Sequence, residues 1–310
     1  MKESFKHQDR VLAIIVTYNA MKWLNRCISS MKSSTYPVDV FVVDNGSTDG
    51  TQKYIKDNYP ECIFRQSGEN LGFGRANNVG LRFALDGDYN YVYLLNQDAW
   101  ILPDTISKLI ELSKKYPDYG ILSPVQMNSD CVHIDKQFLK NVMSYNGCPD
   151  YINDLYNGEE KDVYPVSDIM AAHWFVTRKC LERVGGFSPA FPHYGEDNNY
   201  SNRVIYHHFK IGFVPFLRVV HDRGERVESS EKTLYREYYI KMIRRLSDPL
   251  PNGVKPYRLS SFFIIYTCFK MSLTFKSVSP FKYCLYLLRD KRNILKYKAI
   301  SINSVCAFLE

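Results

Sequence analysis

Three short apolar runs, each closing on a polar cluster, constrain this chain more than any other feature. Val11 to Val16 (VLAIIV) runs into Thr17-Tyr18-Asn19, Val38 to Val43 (VDVFVV) into Asp44-Asn45-Gly46-Ser47, and Tyr91 to Leu95 (YVYLL) into Asn96-Gln97-Asp98. Runs this short, rich in β-branched residues, read as strands buried on both faces. Helical patterns lie between them: residues 21–32, a helix through Tyr54 with Ser47 or Thr48 as its cap, a helix from Asn70-Leu71-Gly72 to about Leu85, and 104–116 behind Pro103. Cys62 to Arg65 reads as a further short strand. Strands alternating with helices predict an α/β fold with a parallel, doubly wound sheet. In such sheets ligands bind beyond the carboxyl ends of the strands, which is where all three polar clusters fall.

After Ser123 the alternation fails. Residues 128–166 are polar, rich in Asn, Asp and Tyr, and read as an insertion or long loop. Residues 167–177 read as extended and buried, and 178–184 as helical. Gly185-Gly186-Phe187 is a sharp turn. Tyr194-Gly195-Glu196-Asp197 opens a helix to about His208. Ile211 to Pro215 and Leu217 to Val220 read as short strands, the second ending at His221, and from about 229 the chain reads as helices.

Residues 255–300 carry ten Lys/Arg and one acid, a local charge of +9, which leaves −2 of the formal +7 for everything else. The basicity therefore belongs to the C-terminal tail. Two readings of it stand: a basic, aromatic-rich segment lying on an anionic bilayer, or a helical subdomain packed on the rest. No nucleic-acid-binding motif accompanies it, so nucleic acid is not expected as a partner. MKESFKHQDR lacks an apolar signal core, and no stretch supplies the roughly 20 apolar residues of a spanning helix. The expectation is a soluble, cytoplasmic chain, or one attached peripherally to the inner face of the cytoplasmic membrane. Eight scattered cysteines without a CxxC pair read as reduced core thiols, not a zinc or redox site.

The strand-end residues carry the candidate chemistry. Asp44 can accept from a nucleoside's ribose or base, or can cap a turn. Asn70-Leu71-Gly72-Phe73-Gly74-Arg75 opens a helix, where free N–H groups and Arg75 favour a phosphate, although the glycines equally suit close packing. Its spacing is neither GxGxxG nor GxxxxGK[ST]. Asp98 is a candidate ligand for Mn²⁺ or Mg²⁺, with His221 as a second. Glu196 and Asp197 are either ordinary first-turn acids or include a general base.

Taken together these residues resemble glycosyltransferase family 2, with the GT-A fold. The matching pieces are Ile14-Ile15-Val16-Thr17-Tyr18-Asn19, Val42-Val43-Asp44-Asn45-Gly46-Ser47, Asn70-Leu71-Gly72-Phe73-Gly74 with Asn77-Asn78-Val79-Gly80, Leu94-Leu95-Asn96-Gln97-Asp98, Val184-Gly185-Gly186-Phe187 and Gly195-Glu196-Asp197. Within that family the chain is similar to bacterial rhamnosyltransferase-like enzymes of surface-polysaccharide synthesis. The resemblance implies a mostly parallel sheet flanked by helices over residues 1–228, with a nucleotide-binding half over about 10–125 and an acceptor half over about 165–225. A basic helical extension would follow over 229–310.

It also implies roles. Thr17, Tyr18, Asn19, Asp44 and Asn45 would hold the nucleoside. Asn70, Gly72, Arg75 and Asn78 would line the diphosphate and sugar, with Asn96 beside them. Asn96-Gln97-Asp98 stands where the family often has Asp-x-Asp, so Asp98 is left as the main metal ligand, helped by His221. Asp197 matches the catalytic base and Glu196 is its less favoured neighbour. The implied activity is inverting transfer of a hexose from dTDP-rhamnose or a UDP-hexose to a glycan or lipid-linked glycan. A nucleotidyltransferase, or a non-catalytic nucleotide-sugar or glycan binder, is the alternative.

Overall fold

The computed structural model describes residues 8–144, 147–191, 194–224, 231–249, 261–275 and 279–309. Lys255, Arg258 and Lys276 of the basic tail lie outside the described residues, as do residues 1–7. The first half runs β1 (Val11–Thr17), α1 (Leu24–Lys32), β2 (Asp39–Asp44), α2 (Thr51–Asn58), β3 (Ile63–Gln66), α3 (Phe73–Asp86), β4 (Tyr91–Asn96), β5 (Ala99–Trp100), α4 (Thr105–Lys115) and β6 (Tyr119–Met127). Then follow α5 (Lys136–Asn141), α6 (Pro149–Asn157), β7 (Tyr164–Val166), β8 (His173–Thr177), α7 (Arg178–Val184), α8 (Glu196–Tyr206) and β9 (Lys210–His221). Three helices close the chain: α9 (Glu231–Ser247), α10 (Ser261–Phe275) and α11 (Ser279–Asn303).

The strands form one sheet in the order β3-β2-β1-β4-β8-β6-β9-β5, with β7 also paired to β9. The first four are parallel, and their register sets Thr17 against Asp44, Val16 against Asn96 and Asp44 against Gln66. The polar clusters thus end in a row on one rim. Strand β8 is antiparallel to both β4 and β6, and β9 is parallel to β6. The start of β8 and the end of β9 therefore arrive at the same rim, carrying the segment before His173 and the residue His221.

Both faces of the sheet are covered, which is why its strands are apolar throughout. Leu12, Ile14, Phe41, Val43 and Leu94 face a core with α3, α7 and α8 residues, while Ala13, Ile15, Val42, Tyr93 and Leu95 face one with α1 and α4. Helix α1 shows the matching stripe: Leu24, Cys27, Ile28 and Met31 are buried, at helical spacing. The fully buried Arg203 of α8 donates to the carbonyls of Val184 and Gly186, and Tyr200 donates to Gly185 (2.9 Å). That pins the glycine turn, where Gly185 takes φ +81°.

Several expectations need correction. The alternation does not fail at Ser123, because β6 runs on to Met127. Residues 128–166 are not a plain loop: they contain α5, α6 and β7. Ile211–Pro215 and Leu217–Val220 belong to one strand, with a register shift opposite Pro124/Val125. Neither Ser47 nor Thr48 caps α2; Gly50 stands at the cap, and Asp49 accepts from the Thr51 N–H and hydroxyl.

The extension packs on the rest of the chain. Met242, Ile243, Leu246, Ile264, Cys268, Cys284, Leu287 and Ile294 form a third core together with Ala190 and Phe191. The C-terminal turn returns to the glycine turn after α7: Ala307 accepts from Gly186 N–H (2.7 Å), and Leu309 joins the main core. No helix among the described residues is long and apolar enough to cross a membrane. All eight cysteines are free thiols, six of them buried.

Candidate functional site

At the ends of β1 and β2, Asp44 is fully buried and its carboxylate is saturated. One oxygen accepts from the N–H groups of Gly46 (3.2 Å) and Ser47 (2.9 Å), the other from the hydroxyls of Thr17 (2.8 Å) and Ser47 (2.5 Å). Four bonds fill its acceptor capacity. Of the two readings of Asp44, the turn organiser is the one seen. Asn19, at φ +51°, joins the same network: its N–H donates to Ser47 Oγ and its Oδ1 accepts from Thr48 N–H. This leaves Tyr18, 48% exposed, as the open ring of the cluster. Asn45 donates weakly to Gly72 O (3.4 Å), while its Oδ1 is buried with no hydrogen-bond partner.

Helix α3 begins at Gly72, where φ is +79° and Asn70 Oδ1 accepts from the Gly72 N–H (2.9 Å). A Cβ at Gly74 would sit 2.9 Å from Phe187 Cβ and 3.7 Å from Glu196 Cβ, so this glycine lets α3 approach the loop bearing the acids. Arg75 projects exposed from the first turn. Asn78 is placed differently from its expected role. Its amide donates to Phe187 O (2.9 Å) and accepts from Phe187 N–H (2.7 Å), so it clamps the glycine turn instead of lining a diphosphate.

At the end of β4, Gln97 bridges the Tyr18 backbone, accepting from its N–H (2.7 Å) and donating to its carbonyl (3.2 Å). Asp98 lies 3.5 Å from His221 Nε2, brought there by the pairing of Ala99 with His221. Asn96 Nδ2 is 3.4 Å from the same nitrogen, and Asn96 Oδ1 is buried without a partner. His221 Nδ1 faces Gln126 Oε1 at 3.3 Å. With that N–H donated to Gln126, the Nε2 lone pair points toward Asn96 and Asp98. A carboxylate and an imidazole lone pair this close need positive charge between them, a proton or a metal ion. One carboxylate and one imidazole form a donor pair that fits a divalent cation of the Mn²⁺ type, while Asn96 presents its Nδ2 to the same nitrogen. No group of three His, Cys, Asp or Glu side chains with metal-ligand spacing occurs among the described residues. Behind the pair, His173 Nε2–H donates to Val220 O (2.9 Å) and Nδ1 accepts from Tyr93 OH (2.8 Å). Burial, aided by His221, holds it neutral with a pKa of about 3.

The third cluster is acidic. Glu196 and Asp197 open α8 behind Gly195, and Asp168 joins them from the segment before β8 through a hydrogen bond from Asn198 Nδ2. Glu196 is buried; that burial, with the charge of Asp197, pushes it to about 7. Burial and the charge of Asp197 likewise push Asp168 to about 6, against the pull of Arg244. Burial raises Asp197 too, opposed by a hydrogen bond from Asn198 N–H and by Arg244 and Arg223. Glu196 Oε2 and Asp168 Oδ1 have no hydrogen-bond partner. Arg223 also donates to His221 Nδ1 (3.2 Å), an alternative to the Gln126 bond, and stands 3.6 Å from Asp135. It thus borders both the Asp98–His221 pair and the acids.

The structure gathers Thr17, Asn19, Asp44 and Asn45 into one network, Asn96, Asp98 and His221 into a second, and Glu196 and Asp197 into a third. Sequence reasoning missed Asp168, Arg223 and Arg244. An acid interrupting the apolar run SDIMAAHWFVT was a usable signal for Asp168; Arg244 sits in the extension, and no local pattern marks it.

A sheet of this order, with polar strand ends and an acid cluster on one rim, has the GT-A architecture of its structural neighbours. The chain belongs to glycosyl transferase family 2, whose model matches residues 12–183. It is 26% identical over 237 residues to the N-acetylglucosaminyl-diphospho-decaprenol L-rhamnosyltransferase of Mycobacterium tuberculosis, covering 70% of this chain and 77% of that one. Its fold is similar to S. aureus TarS 1-349 in complex with UDP (TM-score 0.57, 13% identity, 94% of this chain and 83% of that one). It spans 41% of the longer TarS chain. It is also similar to the mannosyltransferase PcManGT from Pyrobaculum calidifontis in complex with GDP-Man and Mn²⁺ (TM-score 0.53, 20% identity, 96% and 74%).

Proposed function

We propose that the chain is an inverting hexosyltransferase that moves a sugar from dTDP-rhamnose or a UDP-hexose to a glycan or lipid-linked glycan in surface-polysaccharide synthesis. The observation that carries this reading is the shared rim: the end of β4, the end of β9 and the segment before β8 arrive together, bringing Asp98 and His221 to the edge where Asp168 is bonded to Asn198, next to the candidate base Asp197. Asp197 takes the proton from an acceptor hydroxyl; that oxygen bonds to the anomeric carbon as the bond to the diphosphate breaks, its electron pair leaving with the nucleotide. A base must be ionised to act, and Arg244 and Arg223 oppose the burial that would protonate Asp197. Glu196, buried and titrating near neutrality, is the weaker candidate.

On the donor side, Tyr18 offers an exposed ring to the base, and Asn45 Oδ1 is an unfilled acceptor for a nucleoside N–H or O–H. Arg75 and the start of α3 favour the diphosphate. Asp98 and His221 would hold Mn²⁺ or Mg²⁺, with the imidazole favouring Mn²⁺ and Asn96 beside them. Bound there, the ion would neutralise charge on the leaving diphosphate. The likeness to a rhamnosyltransferase with a diphospholipid-linked acceptor supports rhamnose and a lipid-linked acceptor.

Attachment at the inner face of the cytoplasmic membrane fits α10. Its exposed Phe262 (79%), Ile265, Tyr266, Phe269 and Leu273 (64%) follow helical spacing beside the basic α11. Flotation with anionic vesicles should fall for the Phe269→Glu/Leu273→Glu variant; equal flotation would remove the membrane element. The donor is tested by thermal shift and slow donor hydrolysis with dTDP-rhamnose, UDP-glucose and UDP-galactose, each with Mn²⁺ and Mg²⁺. One nucleotide sugar should both stabilise the protein and be hydrolysed; neither response from any would overturn the reading.

A further inference from the structure

A cavity of about 1010 Å³ opens along the seam between α8, α9 and α11. Its lining includes Arg183, His207, His208, Lys241, Arg244 and Arg245, and Asp248 is the one acid among the lining residues. Asp248 is already engaged: it accepts from Asn199 and Asn202 (2.7 Å each) and stands 3.5 Å from Arg244. Among the described residues Arg183 and Lys241 have no acidic partner. The cavity therefore holds an excess of uncompensated positive charge. His207 registers it: burial and the neighbouring Arg183, Arg203 and His208 depress its proton affinity, and its Nε2–H donates to Ser301 O (2.9 Å).

Position adds a second argument. Ser167 lines the cavity next to Asp168, whose carboxylate is bonded to the residue after the proposed base. Arg244 belongs both to the cavity wall and to the surroundings of Asp197. Asn202 lies five residues beyond Asp197, roughly 7–8 Å along the axis of α8. The cavity thus shares Arg244 and the Ser167–Asp168 segment with the surroundings of the proposed base, and Ile205, Pro249 and Ile302 give the same cavity an apolar wall for the start of a hydrocarbon chain. A cationic pocket with an apolar side matches a phosphate ester of a lipid, and guanidinium groups match phosphate oxygens in pairs.

We propose that this seam cavity binds the phosphate or diphosphate of a lipid-linked acceptor, so that the extension supplies half of the acceptor site. The inference rests on the transferase reading and adds the acceptor's anionic group to it.

The test uses farnesyl diphosphate as a soluble probe, titrated calorimetrically into the full chain in metal-free buffer. Farnesol, inorganic pyrophosphate and phosphatidylglycerol vesicles serve as comparison arms. Wild type should bind farnesyl diphosphate more tightly than pyrophosphate and bind no farnesol. Arg183→Glu/Lys241→Glu should weaken the binding at least tenfold, and Arg183→Gln/Lys241→Gln by a smaller factor. Both variants should keep the nucleotide-sugar thermal shift, which reports that the catalytic half is folded and loaded. Equal affinity in wild type and variants overturns the proposal, as does pyrophosphate binding as tightly as farnesyl diphosphate, or binding to phosphatidylglycerol vesicles alone. Donor hydrolysis needs no acceptor, so its absence would count against the transferase reading, while its presence without farnesyl diphosphate binding would count against this cavity alone.

Discussion

The two acidic regions of the rim are built on opposite principles. Asp44, at the end of β2, is buried with four hydrogen bonds to its two oxygens. Asp168 and Glu196 are also enclosed, yet each keeps an oxygen with no hydrogen-bond partner, and both titrate far above the ordinary carboxylate range. A buried carboxylate whose acceptor sites are filled is a structural joint: it fixes the ends of β1 and β2 in one geometry. Buried carboxylates that repel one another and are only partly hydrogen-bonded are costly, and such cost clusters at functional sites. The ends of β1 and β2 are fixed by satisfied hydrogen bonds, and the acid cluster is left with unfilled acceptors.

The largest effect that would test this contrast is on turnover. Asp197→Asn should lower glycosyl transfer by roughly 10²–10⁴-fold, the usual range for a general base, while nucleotide-sugar affinity stays within about twofold. Normal turnover would remove Asp197 from the mechanism and leave the acid cluster without a role.

Asp44→Ala should instead act on stability. It strands the Thr17 and Ser47 hydroxyls and two backbone N–H groups, and the loss should reach about 3 kcal/mol in urea unfolding. A loss under about 1 kcal/mol would show that the four bonds do not organise the strand ends.

Glu196→Gln sharpens the comparison through pH. The folded-state pKa of Glu196 is raised, from 4.5 to about 7, so the folded protein binds its proton more tightly than the unfolded chain does. The stability this gives is full below about pH 4.5 and is lost as pH rises through about 7. At about 1.4 kcal/mol per pKa unit, the loss by pH 8 is at most roughly 3 kcal/mol. The glutamine variant, with no charge to bury, should gain stability over wild type at pH 8 relative to pH 5. A parallel offset at both pH values would contradict a charged, enclosed Glu196.

What was legible in the sequence follows the same division. Strands β1, β2 and β4 are continuous apolar runs because both sheet faces are covered, so pattern alone found them and the polar residues that close them. Strand β6 has no apolar run to mark it, because Ser123, Pro124 and Gln126 interrupt its pattern, although all three are buried and Gln126 faces His221. Helices α5 and α6 lie in a stretch whose polarity masks the few residues that reach the main core, Phe138 and Tyr151 against Phe213. Single side chains were harder. Asn78 carried the motif but serves as a clamp, because its partner Phe187 lies 109 residues away. Asp168 and Arg244 act only through residues brought near by β8 and by the packing of the extension.

The central claim is that Asp98 and His221 bind a divalent cation on the same rim as Asp197. Crystals soaked with Mn²⁺ and the nucleotide sugar that stabilises the protein, measured at the manganese absorption edge, test it most directly. The account predicts an anomalous peak within bonding distance of both Asp98 and His221, lost in Asp98→Ala, with the donor's anomeric carbon facing Asp197. A peak elsewhere, or bound donor with no manganese between it and Asp98, would contradict it.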